Sequence, residues 1–230
     1  MRLIALATAV AEPGLCLRDG AQVVGTWCGP PRCGPELILE AVKDLLAGAG
    51  LDFQALDGVA CGRGPGAFTG VRLGVALAQG LSLGTGLPLV SVSDLAALAW
   101  VAYCHHGWPR VVACLDARQG EVYWGAYVCT STGIETVGEE RIAMPQAVSP
   151  PSGDWAWAGN GVPLVASEVS TQALDTALIP NAEAVAELGM QALIRGETTP
   201  PAEAMPHYLR ERVARPSPRY QRRRTTLVRE

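Results

Sequence analysis

The sequence predicts an α/β fold made of two small subdomains, the second repeating the opening of the first. Residues 3–103 alternate between short apolar runs and segments with helical spacing, the order that layers helices on a sheet. A continuously apolar run followed by a strand hairpin opens the chain, and the same succession restarts beyond residue 109. With 49% hydrophobic and 17% charged residues among 230, the chain can bury the core of one or two compact domains.

The elements follow in order. Leu3-Ile4-Ala5-Leu6-Ala7-Thr8-Ala9 is unbroken in its apolarity apart from Thr8, as expected of a strand covered on both faces. Leu15-Cys16-Leu17 and Val23-Val24 flank Arg18-Asp19-Gly20, and Asp-Gly is a hairpin turn signal. A Pro- and Gly-rich loop spans Gly29 to Pro35. From Glu36 to Ala47, Leu37, Ile38, Ala41, Leu45 and Leu46 share one helical face, and Gly48-Ala49-Gly50 stops the helix. Asp57 to Cys61 is the next strand. A helix runs from about Phe68 to Leu83, a strand from Leu87 to Val92, and a helix capped by Ser93 continues to Tyr103.

His105-His106-Gly107-Trp108-Pro109 reads as a boundary. Beyond it Arg110 to Leu115 is a strand, Asp116 to Gly120 a turn, and Glu121 to Val128 the returning strand. Residues 130–170 are rich in Pro, Gly and Ser and predict short strands at most, such as Asp154 to Ala158. Asn181 caps an amphipathic helix to Ile194. The division is therefore 1–105, 106–180, a C-terminal helix and segment 181–213 that packs back on the core, and a tail 214–230. That tail holds Arg215, Arg219, Arg222, Arg223 and Arg224 with almost no apolar content, the composition of a disordered, solvated segment or of an electrostatic contact with RNA.

Composition excludes several functions. A net charge of −4 argues against whole-surface affinity for nucleic acid. The seven cysteines are scattered without a C-x-x-C pair, so neither a zinc ribbon nor a disulfide framework is indicated. Met1 to Val10 is too short for a signal peptide, and no run reaches the ~20 apolar residues of a membrane span, so the expectation is a cytoplasmic protein without membrane contact.

The most informative stretch runs from Gly58 to Gly84. A strand breaks on Gly64-Pro65-Gly66 and restarts as a helix, the layout of a phosphate-binding turn. Gly64, Gly66 and Gly70 nevertheless miss the G-x-G-x-x-G spacing, and no Gly-Lys-Ser/Thr is present. In the helix, Gly70, Gly74, Ala78 and Ser82 recur every fourth residue, as do Ala76, Gly80 and Gly84. Glycine inside a helix costs about 1 kcal/mol relative to alanine, so two such stripes need close packing, within the domain or against a partner's helix. Arg72 stands near the positive end of this helix, where a cation is unfavourable, and so calls for a specific partner.

Gly64-Pro65-Gly66-Ala67-Phe68-Thr69-Gly70-Val71-Arg72 resembles the Gly-Pro-Gly-Ser-Phe-Thr-Gly-Leu-Arg signature of the TsaB (YeaZ) family. Two further blocks agree in order and spacing: Leu115 to Trp124, with Asp116, Arg118, Glu121 and Tyr123, and Pro206-His207-Tyr208-Leu209-Arg210. The resemblance runs from Met1 to about Arg212. It implies the duplicated actin-like ATPase (ASKHA, ribonuclease H-like) fold. The role it implies is that of a non-catalytic subunit binding TsaD, and through that pair the ATPase TsaE, in threonylcarbamoylation of the adenosine beside the tRNA anticodon. TsaB homodimers over an overlapping surface, and indirect contact with tRNA, belong to the same implication. The partner helices map to Glu36–Ala47 and Phe68–Leu83, with Leu37, Ala41, Gly70, Arg72, Gly74, Ala78 and Ser82 as interface residues. ATP and metal are expected on the partner subunits and not on this chain.

The alternative is a small-molecule kinase or ATPase of the same superfamily. Actin-like ATPases place an aspartate at the end of the first strand; here Ala7 stands there, and alanine cannot hold a metal-bound water. The following turn, Ala9 to Pro13, places the Glu12 carboxylate where phosphates would lie. Asp116 and Glu121 read either as a remnant of a second phosphate turn or as partners of Arg118 that fix the hairpin. Cys33-Gly34-Pro35 replaces the family's His-Ser-Glu before the first helix. A peptidase reading loses its support because no His-x-x-x-His is present.

Overall fold

The computed structural model describes residues 1–210 except 11, 170 and 172, and the side chains of 166–168 are likewise left aside. The arginine-rich stretch of the tail lies outside the described residues.

β1 (Arg2–Ala7) is buried along its length because different structures cover its two faces. Ile4 and Leu6 pack with Leu17, Val42, Val75 and Ala78 on one side. Leu3, Ala5 and Ala7 pack with Val185, Ala186 and Leu188 on the other. Fully burying Leu3, Ile4 or Leu6 stabilises by about 1.5–3 kcal/mol each. β2 (Gly14–Asp19) and β3 (Gln22–Cys28) continue from β1 as an antiparallel meander. β4 (Gly58–Gly62) and β5 (Leu89–Val92) extend the sheet in parallel from β1's other edge, giving the order β3-β2-β1-β4-β5.

The second sheet repeats the plan. β6 (Arg110–Arg118), β7 (Glu121–Thr130) and β8 (Gly133–Ala143) form a meander; β9 (Ala156–Ala158) and β10 (Leu174–Asp175) add in parallel beyond β6. The order β8-β7-β6-β9-β10 matches the first sheet strand for strand and sense for sense. The duplicated α/β fold is therefore present.

Helices distinguish the halves. α1 (Pro35–Gly48), α2 (Phe68–Thr85) and α3 (Asp94–His106) follow β3, β4 and β5. In the second half only short 3₁₀ turns, Pro145–Ala147 and Val162–Glu168, fill the first two positions among the described residues, and α4 (Ala182–Ile194) fills the third. α3 sends Leu95, Leu98, Ala99 and Ala102 into the second sheet, while α4 covers the first sheet. Gly189 of α4 permits this approach, since a Cβ there would stand 2.6 Å from that of Ala60.

Two expectations need correction. Residues 130–170 contain the eleven-residue strand β8, not merely short ones. It is a half-exposed edge strand, and its pairing with β7 slips between Trp124 and Ala126, next to Gly138 at φ 82°. That irregularity breaks the period-two pattern by which a strand is recognised. His105 and His106 are the last turn of α3 and not a linker; Gly107 ends the helix at φ 69°. His106 stacks on Trp108 at 4.1 Å and bonds Asp175 at 2.9 Å, and that hydrogen bond, the largest cause, holds the Asp175 carboxyl below its ordinary range.

Candidate functional site

The two stripes on α2 face different surroundings. Gly74, Ala78 and Ser82 are buried and Gly70 is half-buried, all turned toward their own domain. A Cβ on Gly70 would overlap the carbonyl oxygen of Thr8 and stand 3.0 Å from its carbon; one on Gly74 would overlap the Thr8 hydroxyl. That hydroxyl donates to the Gly70 carbonyl at 2.7 Å, and Ser82 donates to Leu87 O at 2.6 Å. This stripe lets α2 lie against the end of β1. Assigning Gly70, Gly74, Ala78 and Ser82 to a partner interface is therefore corrected: packing within the domain has claimed them. Ala41 on α1 is likewise 5% exposed and internal, whereas Leu37 is 39% exposed.

The second stripe faces outward. Ala76, Gly80 and Gly84 are exposed with Thr69, Arg72 and Leu83, the last at 71%, and among the described residues nothing lies within 4 Å of a Cβ placed on Gly80 or Gly84. Leu37, Glu40, Asp44 and Ala47 form the exposed side of neighbouring α1.

The flank of α2 is covered by the C-terminal segment. Gln79 Nε2 donates to Pro201 O at 2.7 Å and Ala204 O at 3.1 Å. Arg72 finds the partner its position demanded: its guanidinium lies 3.7 Å from the centroid of the Phe68 ring, and its Nε donates to the Tyr208 hydroxyl at 2.6 Å. Thr69 sits beside them on the exposed first turn.

Between the halves lies a cleft of about 460 Å³, walled by Ala9, Val10, Pro65 to Phe68, Leu115 to Gln119, Tyr123, Asn160 and His207 to Arg210. The backbone at its floor is already occupied. Gly64, at φ 95°, donates to Asp94 Oδ2 at 2.5 Å. A Cβ on Gly66 would stand 2.8 Å from Ala9 O, which accepts the Ala67 amide at 2.9 Å. Ala7 ends β1 in a buried position. Glu12 is not in this cleft, contrary to expectation; it lines a smaller recess beside β3 and receives the Cys28 thiol.

The carboxylates of the second hairpin divide. Asp116 accepts the Arg118 amide at 2.7 Å and its Nη1 at 3.2 Å, fixing a turn in which Arg118, Gln119 and Gly120 all have positive φ. Glu121 instead pairs with Arg210 at 2.6 Å.

Sequence reasoning missed the polar group beneath the cleft. Asp94 is fully buried, and burial pushes its carboxyl up to about 7, although the Gly64 amide favours the charged form. Glu140 on β8 accepts from the Tyr127 hydroxyl at 2.7 Å and lies 3.3 Å from His207 Nδ1. Burial raises its pKa, but hydrogen bonds from His207, Ser93 and Tyr127 outweigh this and hold the carboxyl below its usual range. The family-like block at Pro206–Arg210 was the signal available for this cluster; its partners on β8 were not readable.

The family described as "TsaD: tRNA N6-adenosine threonylcarbamoyltransferase" matches residues 35–217. The tRNA threonylcarbamoyladenosine biosynthesis protein TsaB of Escherichia coli (strain K12) is 36% identical over 223 residues, covering 93% of this chain and 96% of that one. Its namesake in Haemophilus influenzae is 35% identical over 194 residues, covering 79% and 82%. YeaZ from Pseudomonas aeruginosa superimposes with a TM-score of 0.84 at 37% identity, over 90% of this chain and 99% of that one. Another Pseudomonas aeruginosa crystal structure, described as an uncharacterized protein with similarity to peptidase YEAZ, gives 0.85 at 38% identity, over 91% and 99%.

Proposed function

The chain belongs to the TsaB (YeaZ) family, and from that premise we propose that it serves tRNA threonylcarbamoyladenosine biosynthesis as a non-catalytic subunit that binds a TsaD-type transferase. A TsaE-type ATPase joins through that pair. The contact is made by the outward faces of α1 and α2: Leu37 on α1, and Thr69, Arg72, Ala76, Gly80 and Leu83 on α2.

The observation that carries this reading is the outward stripe itself. A helix with glycine at position 80, where no atom among the described residues stands within 4 Å of an added Cβ, beside a Leu83 71% exposed, gains nothing from them to offset about 1 kcal/mol of lost helix propensity. A partner helix approaching backbone to backbone supplies the reason. The cleft supports the non-catalytic half. Ala7 replaces the magnesium-organising carboxylate, the Thr8 hydroxyl and Ala67 amide are engaged internally, and Asp116 is folded onto its own turn. These groups do not fit a magnesium-bound triphosphate.

The test reconstitutes tRNA threonylcarbamoylation from the cognate TsaD, TsaE and the enzyme that supplies the threonylcarbamoyl adenylate, with and without this chain, wild type or Ala76→Arg. Modification should depend on the wild-type chain, and Ala76→Arg, at an exposed position, should remove both TsaD binding and modification while keeping its melting temperature. Stable co-purification of Ala76→Arg with TsaD would sink the interface. ATP turnover by the isolated chain would favour the kinase or ATPase alternative.

A further inference from the structure

Residues 207–210 cross the mouth of the cleft and touch the two halves in alternation. The His207 amide donates to Arg63 O of the first half at 2.8 Å, while its ring faces Glu140 of the second. Tyr208 returns to the first half: its hydroxyl accepts from Arg72, and its ring lies 6.0 Å from that of Phe68. Arg210 then reaches the second half, pairing with Glu121 and donating to Ala117 O at 3.0 Å. The chain thus places a segment of its own across the cleft, bonded to both halves.

The end points matter as much as the crossing. Tyr208 consumes Nε of Arg72, and Phe68 fixes the plane of the guanidinium. No partner for the Arg72 Nη nitrogens is found among the described residues, and they stand on the exposed first turn of α2. A planar guanidinium held at one nitrogen and one face is preorganised to present its remaining donors to a carboxylate.

We propose that the His207–Arg210 strap is a positioning element for partner binding: it clasps the two halves and, through Tyr208, sets Arg72 and Phe68 in the orientation that α2 offers to an acidic side chain of the partner. This inference rests on the outward face of α2 being the partner surface. His207 and Arg210 hold the strap across the halves; Tyr208 transmits its position to Arg72.

The experiment measures affinity for the TsaD-type partner and melting temperature for Tyr208→Phe, Arg210→Ala, Arg210→Lys and Ala76→Arg in the full chain. Tyr208→Phe keeps the ring and removes one exposed hydrogen bond to a charged group, so about five- to tenfold weaker binding is expected, with the melting temperature of the free chain lowered by no more than about 4 °C. Arg72→Lys should weaken binding to a similar degree, and adding Tyr208→Phe to it should have little further effect. Arg210→Ala should also weaken binding, with partial rescue by Arg210→Lys. If Tyr208→Phe and Arg210→Ala bind like wild type while Ala76→Arg abolishes binding, the strap has no positioning role and the α2 surface stands. If the strap variants weaken binding and Ala76→Arg does not, the partner sits on the strap directly, and both positioning and the α2 surface fall.

Discussion

Gly70 and Gly80 lie on the same helix, and substituting alanine at each should move stability in opposite directions. At Gly80 nothing among the described residues stands within 4 Å of the added Cβ, so backbone propensity acts alone, and Gly80→Ala should stabilise the free chain by about 1 kcal/mol. For a chain of this size that is a rise of about 2–4 °C in melting temperature. At Gly70 the same methyl overlaps the Thr8 carbonyl oxygen and comes within 3.0 Å of its carbon and 3.4 Å of the Ala9 Cα. These are backbone atoms at the end of a buried strand and cannot swing away. Gly70→Ala should therefore destabilise by about 1–3 kcal/mol or more, its propensity gain overwhelmed by overpacking. Urea unfolding of the three proteins, compared at equal m, reads both effects. A destabilised Gly80→Ala, or a Gly70→Ala equal to wild type, would refute the assignment of inward and outward stripes. The same variants separate folding from binding. Where a partner helix packs onto Gly80, Gly80→Ala should bind about tenfold more weakly despite its greater stability, the equivalent of about 1.4 kcal/mol of overpacking.

Asp94 makes stability fall with rising pH. Its carboxyl titrates near 7 when folded against 3.8 as a free side chain, so the native state holds the extra proton between these values. Stability from this group is fully present below about 4 and lost as pH rises through about 7, by an amount on the order of 4 kcal/mol, and Asp94→Asn should flatten that part of the pH profile in chemical denaturation. Thiol accessibility should split the seven cysteines: burial pushes the Cys16, Cys61, Cys114 and Cys129 thiols up to about 12, so a thiol reagent at pH 8 should modify Cys28, Cys33 and Cys104 and spare those four until the chain unfolds. Thr8→Val deletes the donor to Gly70 O beneath α2 and should cost about 1–2 kcal/mol in the same urea assay, with partner affinity per folded molecule unchanged.

The fold was legible wherever local chemistry and tertiary packing agree. The unbroken apolarity of Leu3 to Ala7, the Asp19-Gly20 turn, and Ser93 accepting from the Leu95 and Ala96 amides are local signals that the fold keeps. β8 was not legible, because an edge strand with Glu135, Glu139 and Arg141 outward and an irregular pairing at Gly138 carries no period for a reader to find. The helical spacing of α2 gave both of its small-residue stripes but not their facing. Spacing defines angles around a helix axis; which angle meets β1 depends on where the Thr8 carbonyl falls, and that is a tertiary fact.

The same distinction explains the site. Arg72 announced a need for a partner through its place in the helix dipole, yet that partner, Tyr208, lies 136 residues away. Glu121 and Arg118 are near neighbours in sequence, yet Glu121 pairs with Arg210 because the hairpin turn already satisfies Arg118 through Asp116. Both departures involve the strap. Its contacts on α2, β6, β7 and β8 are one or two polar bonds each, weak as sequence signals because any Tyr, His or Arg could make them. Together, in the proposed positioning role, they set how the first turn of α2 is presented. In the proposed role the subunit acts through the shape it offers, so the residues fixing that shape from a distance belong to that role as fully as those on the proposed contacting face.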